Sequence, residues 1–280
     1  MYETYWKLKH KPFEGGTDAR SYYPGEAHQG ALLKLRYVIE SHHGAALLAG
    51  GFGVGKTLLV RLLAEQLPDR FQPLVHVVYP QMPADDLLAV LAAELGAAAP
   101  ATPSPTVADS VLAIQRRLAS AVHQGKHTVV AIDDAQLLEG RRTFEALRLL
   151  LNFEVAGRPA LTLLLAGQPN LLPALERMPQ LDERLGAKCL LRPFTIEETV
   201  SYIQHRLASA GAKHAIFEDA ALELLFDLTL GVPRCINRLC DLALLIGFAD
   251  ERSTIGTTQI QAVAQELSLA PVESLAGDDR

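Results

Sequence analysis

Hydrophobic positions along this chain follow two alternating rhythms. Nearly continuous apolar runs occur at Ala45–Ala49, Leu74–Tyr79, Thr128–Ile132, Leu161–Ala166 and Lys188–Leu191. Each is of strand length, and unbroken apolar character suits a parallel strand covered on both faces. Between them, apolar residues recur every three or four positions: Leu58, Leu59, Leu62, Leu63 and Leu67, then Leu87, Leu88, Leu91 and Leu95, then Val111, Ile114 and Leu118. That spacing lays one apolar stripe along a helix. Strand–helix alternation predicts an α/β fold with a parallel five-stranded sheet and right-handed crossovers.

The rhythm changes after Pro193, where only helical patterns remain. Thr195-Ile196-Glu197-Glu198 is a capping box that opens a helix over Ile196–Ala210, stopped by Gly211. Further helices are predicted at Ala220–Thr229, ending near Gly231, at Pro233–Ala249 with the proline in its first turn, and within Thr258–Leu267. The expected organisation is an α/β domain over 1–193, a helical lid subdomain over 194–268 and a disordered tail over 269–280. Ala97–Thr106, rich in Pro and Ala, reads as a flexible surface loop. The chain shows no internal repeat.

Composition narrows the class without choosing a function. The 280 residues are 49% hydrophobic and 21% charged, with a net charge of −6, as in ordinary globular proteins. The acidic balance excludes a wholly basic nucleic-acid glove but leaves room for a local basic stripe. Cys189, Cys235 and Cys240 form no CxxC pair, and their odd number and apolar neighbours suggest buried thiols in a reducing compartment. Met1–Lys11 has no apolar core of a signal peptide, and no apolar run reaches the roughly 20 residues of a bilayer span. A soluble, cytoplasmic protein is expected.

The strongest chemical signal is Gly50-Gly51-Phe52-Gly53-Val54-Gly55-Lys56-Thr57, which fits G-x-x-x-x-G-K-[ST] between a predicted strand and a predicted helix. Glycines let the backbone curl so that its N–H groups converge on a phosphate. The helix that continues through Leu58 adds its positive dipole end. Lys56 is placed to reach the β- and γ-phosphates of ATP, and the Thr57 hydroxyl to ligate Mg²⁺. By composition alone such a match arises in roughly one chain in a hundred, and the strand–loop–helix setting makes it rarer still.

A carboxylate at the end of a neighbouring strand completes such a site, and Thr128–Ile132 ends in Asp133 and Asp134. Two acids at the end of a buried strand are costly unless a cation or strong donors wait there. Asp133 is the candidate Mg²⁺ ligand, and Asp134 the group that orients and deprotonates the attacking water. The alternative is that both acids cap the helix that follows; the phosphate loop upstream favours the catalytic reading.

Together with other strings, these residues resemble an AAA+ ATPase of the bacterial ExeA-like (general secretion pathway A) group, related to transposition-helper ATPases. The resemblance covers nearly the whole chain. It includes Tyr5-Trp6, Lys11-Pro12-Phe13, His28, the phosphate loop and Ile132-Asp133-Asp134-Ala135-Gln136. It continues through Ala166-Gly167-Gln168-Pro169-Asn170-Leu171, Leu181-Asp182-Glu183-Arg184 and the stretch Gly231–Asp241, which reads GVPRCINRLCD. It implies a P-loop three-layer sandwich with a small helical lid. It also implies roles for matching positions: Gln168 as sensor 1 toward the γ-phosphate or water, Arg234 as sensor 2 on the lid, and Arg184 as the arginine finger acting on a neighbouring subunit. Arg177, Arg158 and Arg141–Arg142 are rival fingers. Phe13 is left open between an adenine contact and a core staple. Two departures stand out. Asp134 replaces the more usual Glu, and a base misplaced by about 1 Å costs on the order of a hundredfold, so turnover is expected to be slow. A chain read as ending soon after the lid, without a membrane span or envelope-binding domain, is expected to inherit less of the secretion role.

Other features read more plainly. His42-His43 is expected at a solvated helix end, Arg116-Arg117 and Arg141-Arg142 as surface or interface charge, and Trp6, Tyr2 and Tyr5 as a staple onto the core. The family habit implies a ring or filament assembled on ATP, since each site needs an arginine from next door. Three roles compete: an ATPase serving an envelope secretion, pilus or exopolysaccharide machine through protein partners, a DNA-bound transposition-helper type, and an ATP-binding switch with little turnover. The acidic charge tilts slightly toward the first.

Overall fold

The computed structural model describes residues 1–16, 22–71, 73–97 and 106–267. Most of the predicted loop at Ala97–Thr106 and the predicted tail fall outside them. The chain divides into two compact units: Glu26–Gly51 with Lys56–Leu191, and Met1–Gly25 with Phe52–Gly55 and everything after Leu191.

The first unit is built on a five-stranded parallel sheet. Its strands are β1 (Ala45–Gly50), β2 (Leu74–Val77), β3 (Thr128–Ile132), β6 (Leu161–Gly167) and β7 (Leu185–Leu191), in spatial order β2-β3-β6-β1-β7. Every residue of β1, β3 and β6 is buried, whereas the edge strands β2 and β7 are buried only in part. Central strands covered on both faces need apolar residues at every position, and this is why their runs are continuous. The helices of the unit are α2 (Glu26–Glu40), α3 (Lys56–Gln66), α4 (Ala84–Glu94), α5 (Val107–His123), α6 (Gly140–Leu150), α7 (Leu171–Glu176) and α8 (Pro179–Asp182). A two-stranded hairpin, β4 (Glu154–Val155) with β5 (Arg158–Pro159), separates α6 from β6. The core joins Leu47, Ile132 and Leu165 of the sheet to Leu91, Ile114, Leu118 and Leu147 of the helices.

Two strands differ from their predicted spans by more than one residue. β2 stops at Val77, opposite Ile132, the last residue of β3; Val78 and Tyr79 run on without a pairing strand and are exposed. β7 begins three residues early, at Leu185, because it pairs with β1 from Ala45 onward. Its edge position exposes alternate residues, which breaks the apolar run that sequence alone can see.

The second unit is helical: α9 (Ile196–Ser209), α10 (Asp219–Thr229), α11 (Pro233–Ala249) and α12 (Thr257–Glu266), with the single-turn α1 (Tyr2–Tyr5). The capping box forms as predicted. Thr195 Oγ1 accepts from the Glu198 N–H at 3.2 Å, and Glu198 Oε2 accepts from the Thr195 N–H at 3.0 Å. Tyr2, Trp6 and Phe13 are buried with Tyr202, Leu225 and Leu244 of these helices. Trp6 donates from Nε1 to Leu244 O at 3.0 Å, and Phe13 meets Phe217 edge to face. Phe13 is therefore a core staple. At the turn after α10, Gly231 has φ +71° and lies so close to Phe194 that an added Cβ would sit 2.0 Å from its carbonyl oxygen. Only glycine fits there.

The cysteine expectation needs one correction. Cys189 and Cys240 are buried, but Cys235 is exposed. It stands beside the exposed Arg234 on α11, whereas Ile236, Leu239 and Cys240 form the inward stripe.

Candidate nucleotide site

The phosphate loop leaves the C-terminal end of β1 and enters α3, as its pattern requires. Gly53 and Gly55 adopt φ of +73° and +102°, conformations that side chains with a Cβ rarely take. Lys56, only 8% exposed, folds back and donates from Nζ to Gly50 O at 2.9 Å and Gly51 O at 2.8 Å. These bonds hold an ammonium group within the loop. Val54 is buried, Phe52 at the tip is 68% exposed, and Leu58 is half-buried. Within the helical unit, Gly53 O accepts from the Arg234 N–H at 3.2 Å, and a Cβ on Gly53 would stand 2.7 Å from that of Arg234.

Thr57, the second residue of α3, donates from Oγ1 to Asp133 Oδ2 at 2.6 Å. Asp133 is 4% exposed and follows the last residue of β3, its N–H bonded to Val77 O. Its Oδ1 accepts from the Asp134 N–H at 3.0 Å, and His76 Nε2 lies 3.6 Å from Oδ2. That last distance is an electrostatic contact, too long for a hydrogen bond. Burial pushes the Asp133 carboxyl up, but His76, Thr57 and the Asp134 N–H together outweigh it and hold the acid below its ordinary value. The group is an ionised, hard oxygen donor beside a hydroxyl, the donor set that suits Mg²⁺. Among the described residues no group of three or more His, Cys, Asp or Glu is placed to hold a metal.

The Asp134 backbone is left-handed, φ 46° and ψ 41°, a conformation aspartate tolerates better than most residues. It precedes a 3₁₀ turn, Ala135–Leu137, without a side-chain cap, so helix capping does not account for it. Its Oδ1 instead accepts from Gln136 Nε2 at 3.0 Å, and Gln136 Oε1 accepts from the Gln168 N–H at 3.0 Å. Gln168 follows the last residue of β6. The C-terminal ends of β1, β3 and β6 thus bring Lys56, Thr57, Asp133, Asp134 and Gln168 to one end of the parallel sheet.

Two candidate arginines are placed elsewhere. Arg184 precedes β7, half-buried, and its guanidinium donates to Leu151 O at 3.1 Å and Asn152 Oδ1 at 2.5 Å on its own chain. Arg234 is exposed in the first turn of α11. Arg177, Arg158, Arg141 and Arg142 are exposed as well, Arg142 pairing with Asp85.

Sequence reasoning assigned no role to Gln136, Gly167 or His76. Gln136 lay inside the quoted string after the paired acids, but nothing in one sequence says that its amide bridges two strand ends. His76 left a trace as a lone polar residue within the apolar run of β2.

Three comparisons bear on this site. Residues 39–175 match the AAA domain family. Over 276 residues, 96% of the chain, the sequence is 34% identical to general secretion pathway protein A of Aeromonas hydrophila, of which the chain spans about half, 49%. Among solved structures, Cdc6p from Pyrobaculum aerophilum superimposes with a TM-score of 0.70 at 17% identity, covering 94% of this chain and 74% of that one. The RuvB branch migration motor of Thermotoga maritima gives 0.58 at 21% identity, covering 86% and 69%. At such identities these structures speak for the fold alone.

The phosphate loop, the parallel sheet and these superpositions define the fold as that of the AAA+ P-loop NTPases. Within that fold the sequence is similar to general secretion pathway protein A along nearly its whole length. No helix among the described residues is long and apolar enough to cross a membrane.

Proposed function

We propose that this protein binds ATP with Mg²⁺ at the loop Gly50–Thr57, including Leu58 in the first turn of α3, and hydrolyses it to ADP and phosphate. The observation that carries the proposal is the Thr57–Asp133 hydrogen bond of 2.6 Å. It brings the hydroxyl of the phosphate loop and a buried, ionised carboxylate together, where a hard cation would take one oxygen from each. Thr57 and Asp133 would hold Mg²⁺, which would supply charge neutralisation at the reacting phosphates. Lys56 binds the β- and γ-phosphates, exchanging its carbonyl partners for phosphate oxygens. Asp134 takes the proton of the attacking water, and Gln168 orients that water or the γ-phosphate.

Arg184 is the proposed finger toward a neighbouring subunit's nucleotide, and Arg234 the proposed sensor within its own chain. The first role requires Arg184 to leave Leu151 and Asn152, so assembly and hydrolysis are coupled in this reading. The protein works as an oligomeric switch or motor on the cytoplasmic side of an envelope secretion or assembly system, through protein partners. Similarity to general secretion pathway protein A supports that pathway, over the half of the relative that the chain spans.

Phosphate release, measured across protein concentration with and without duplex DNA, tests this reading. A rate per subunit that rises with assembly and ignores DNA supports it. A rate that appears only with DNA, and falls steeply with salt, moves the protein to the transposition-helper class.

A further inference from the structure

We propose that Gln136 is a positioning residue for hydrolysis, holding the Asp134 carboxylate and the backbone of the Gln168 turn in one register. The inference rests on the reading of Asp134 as the group that activates water, and it extends that reading to a residue with no assigned role.

Both ends of the Gln136 amide are used, and each admits only one orientation. The Gln168 N–H can only donate, so it faces Oε1 at 3.0 Å; the Asp134 carboxylate can only accept, so it faces Nε2 at 3.0 Å. The amide therefore links the end of β3 to the end of β6 by one donor and one acceptor. No other side chain of similar length supplies that pair: Glu loses the donor, and Met loses both.

The surroundings are shaped to this bridge. A Cβ on Gly167 would sit 2.5 Å from Gln136 Oε1 and 2.4 Å from Leu171 Cδ1, so the final residue of β6 is glycine where the amide passes. Asp134 lies in the left-handed region and carries no capping bond, so its backbone alone does not aim its carboxylate. The Gln136 bond does, by engaging Oδ1 and setting the direction of the second oxygen, Oδ2. That oxygen meets the water. Because Asp is one methylene shorter than Glu, its carboxylate reaches less far, and an error in its direction costs more.

The test compares Gln136→Met, Gln136→Glu, Gly167→Ala and Asp134→Asn in the full chain. Equilibrium binding of a fluorescent adenine nucleotide shows that each variant is folded, and steady-state phosphate release supplies kcat and KM. Gln136→Met and Gln136→Glu are expected to bind nucleotide within about twofold of wild type, keep KM within about threefold, and lose about 10- to 100-fold in kcat. Gly167→Ala, which displaces the same amide from the other side, should lose kcat in the wild-type background but add little to Gln136→Met. Combining Gln136→Met with Asp134→Asn should cost no more than Asp134→Asn alone.

Wild-type kcat in both Gln136 variants, with Asp134→Asn inactive, overturns the positioning role and leaves the base in place. Wild-type kcat in Asp134→Asn instead removes the underlying reading. Equal losses in nucleotide affinity and kcat would make Gln136 a structural residue of the loop and also overturn the proposal.

Discussion

The Nδ1 atoms of His42 and His127 face each other at 2.9 Å, and the rest of the chain of bonds fixes which one carries the proton. Thr162 Oγ1 donates to His43 O at 2.7 Å, since a carbonyl can only accept. The hydroxyl must then accept from His127 Nε2, 2.9 Å away. His127 is therefore protonated on Nε2 and accepts at Nδ1, and His42 donates. Sequence placed His42 at a solvated helix end; it is instead half-buried against His127 and Phe71. Adding a proton to His127 Nδ1 breaks this bond.

A pH dependence of stability follows. Burial, and then the charge of His42, hold the His127 pKa down at about 4 against an ordinary 6.5. His42 is shifted the same way, chiefly by burial. A base depressed on folding makes the unfolded chain bind more protons between these values, so stability is full above about pH 6.5 and falls as pH drops toward 4. For His127 the loss is on the order of 3 kcal/mol. Thermal unfolding of wild type and His127→Gln between pH 4.5 and 7 checks it: the wild-type midpoint should drop more steeply with acid, and parallel curves would refute the assignment.

Nucleotide capture should depend on Lys56 and on the Thr57–Asp133 contact in different ways. Lys56→Ala is expected to lose at least a hundredfold in ATP affinity, because it removes the only formal charge in the loop. Thr57→Val and Asp133→Asn should weaken binding mainly when Mg²⁺ is present. Titration of a fluorescent ATP analogue with Mg²⁺ and with EDTA separates the two. A Lys56→Ala protein binding at wild-type strength would contradict the site.

Arg184→Ala should keep ATP binding and lose most hydrolysis, at least tenfold. It also removes two hydrogen bonds to Leu151 and Asn152, costing about 1–3 kcal/mol of stability. Mixing inactive Arg184→Ala with inactive Lys56→Ala discriminates a finger from a structural arginine. If Arg184 acts across an interface, some mixed sites pair an intact loop with an intact finger, and activity returns. No recovery would leave Arg184 a structural arginine.

Trp6→Ala and Gly231→Ala test the helical unit. Trp6 is 2% exposed and lies 2.9 Å from where a Cβ on Gly247 would stand. Its removal should cost about 3–5 kcal/mol. Gly231→Ala forces a Cβ into Phe194 O at a positive φ and should cost more than about 3 kcal/mol. Denaturant midpoints give both values, and a shift under about 1 kcal/mol in either would contradict the packing described for it.

What sequence determined here is local. The phosphate loop is eight consecutive residues, the paired acids sit at the end of one apolar run, and the capping box spans four positions, so residue type and spacing suffice to read them. Continuous burial likewise made the central strands legible. The limits of the edge strands were not: alternate residues of β7 face outward and hide its early start, and β2 stops where its pairing with β3 ends.

Tertiary structure decided the rest. Thr57 and Asp133 are 76 positions apart, and Gln136 and Gln168 are 32. His42 and His127 are 85 apart, and Trp6 and Leu244 are 238. A single sequence carries propensity and periodicity, which act over a few residues. Which side chains converge across such distances is set by strand order, register and packing, and these come into being only when the whole chain buries its apolar surface at once.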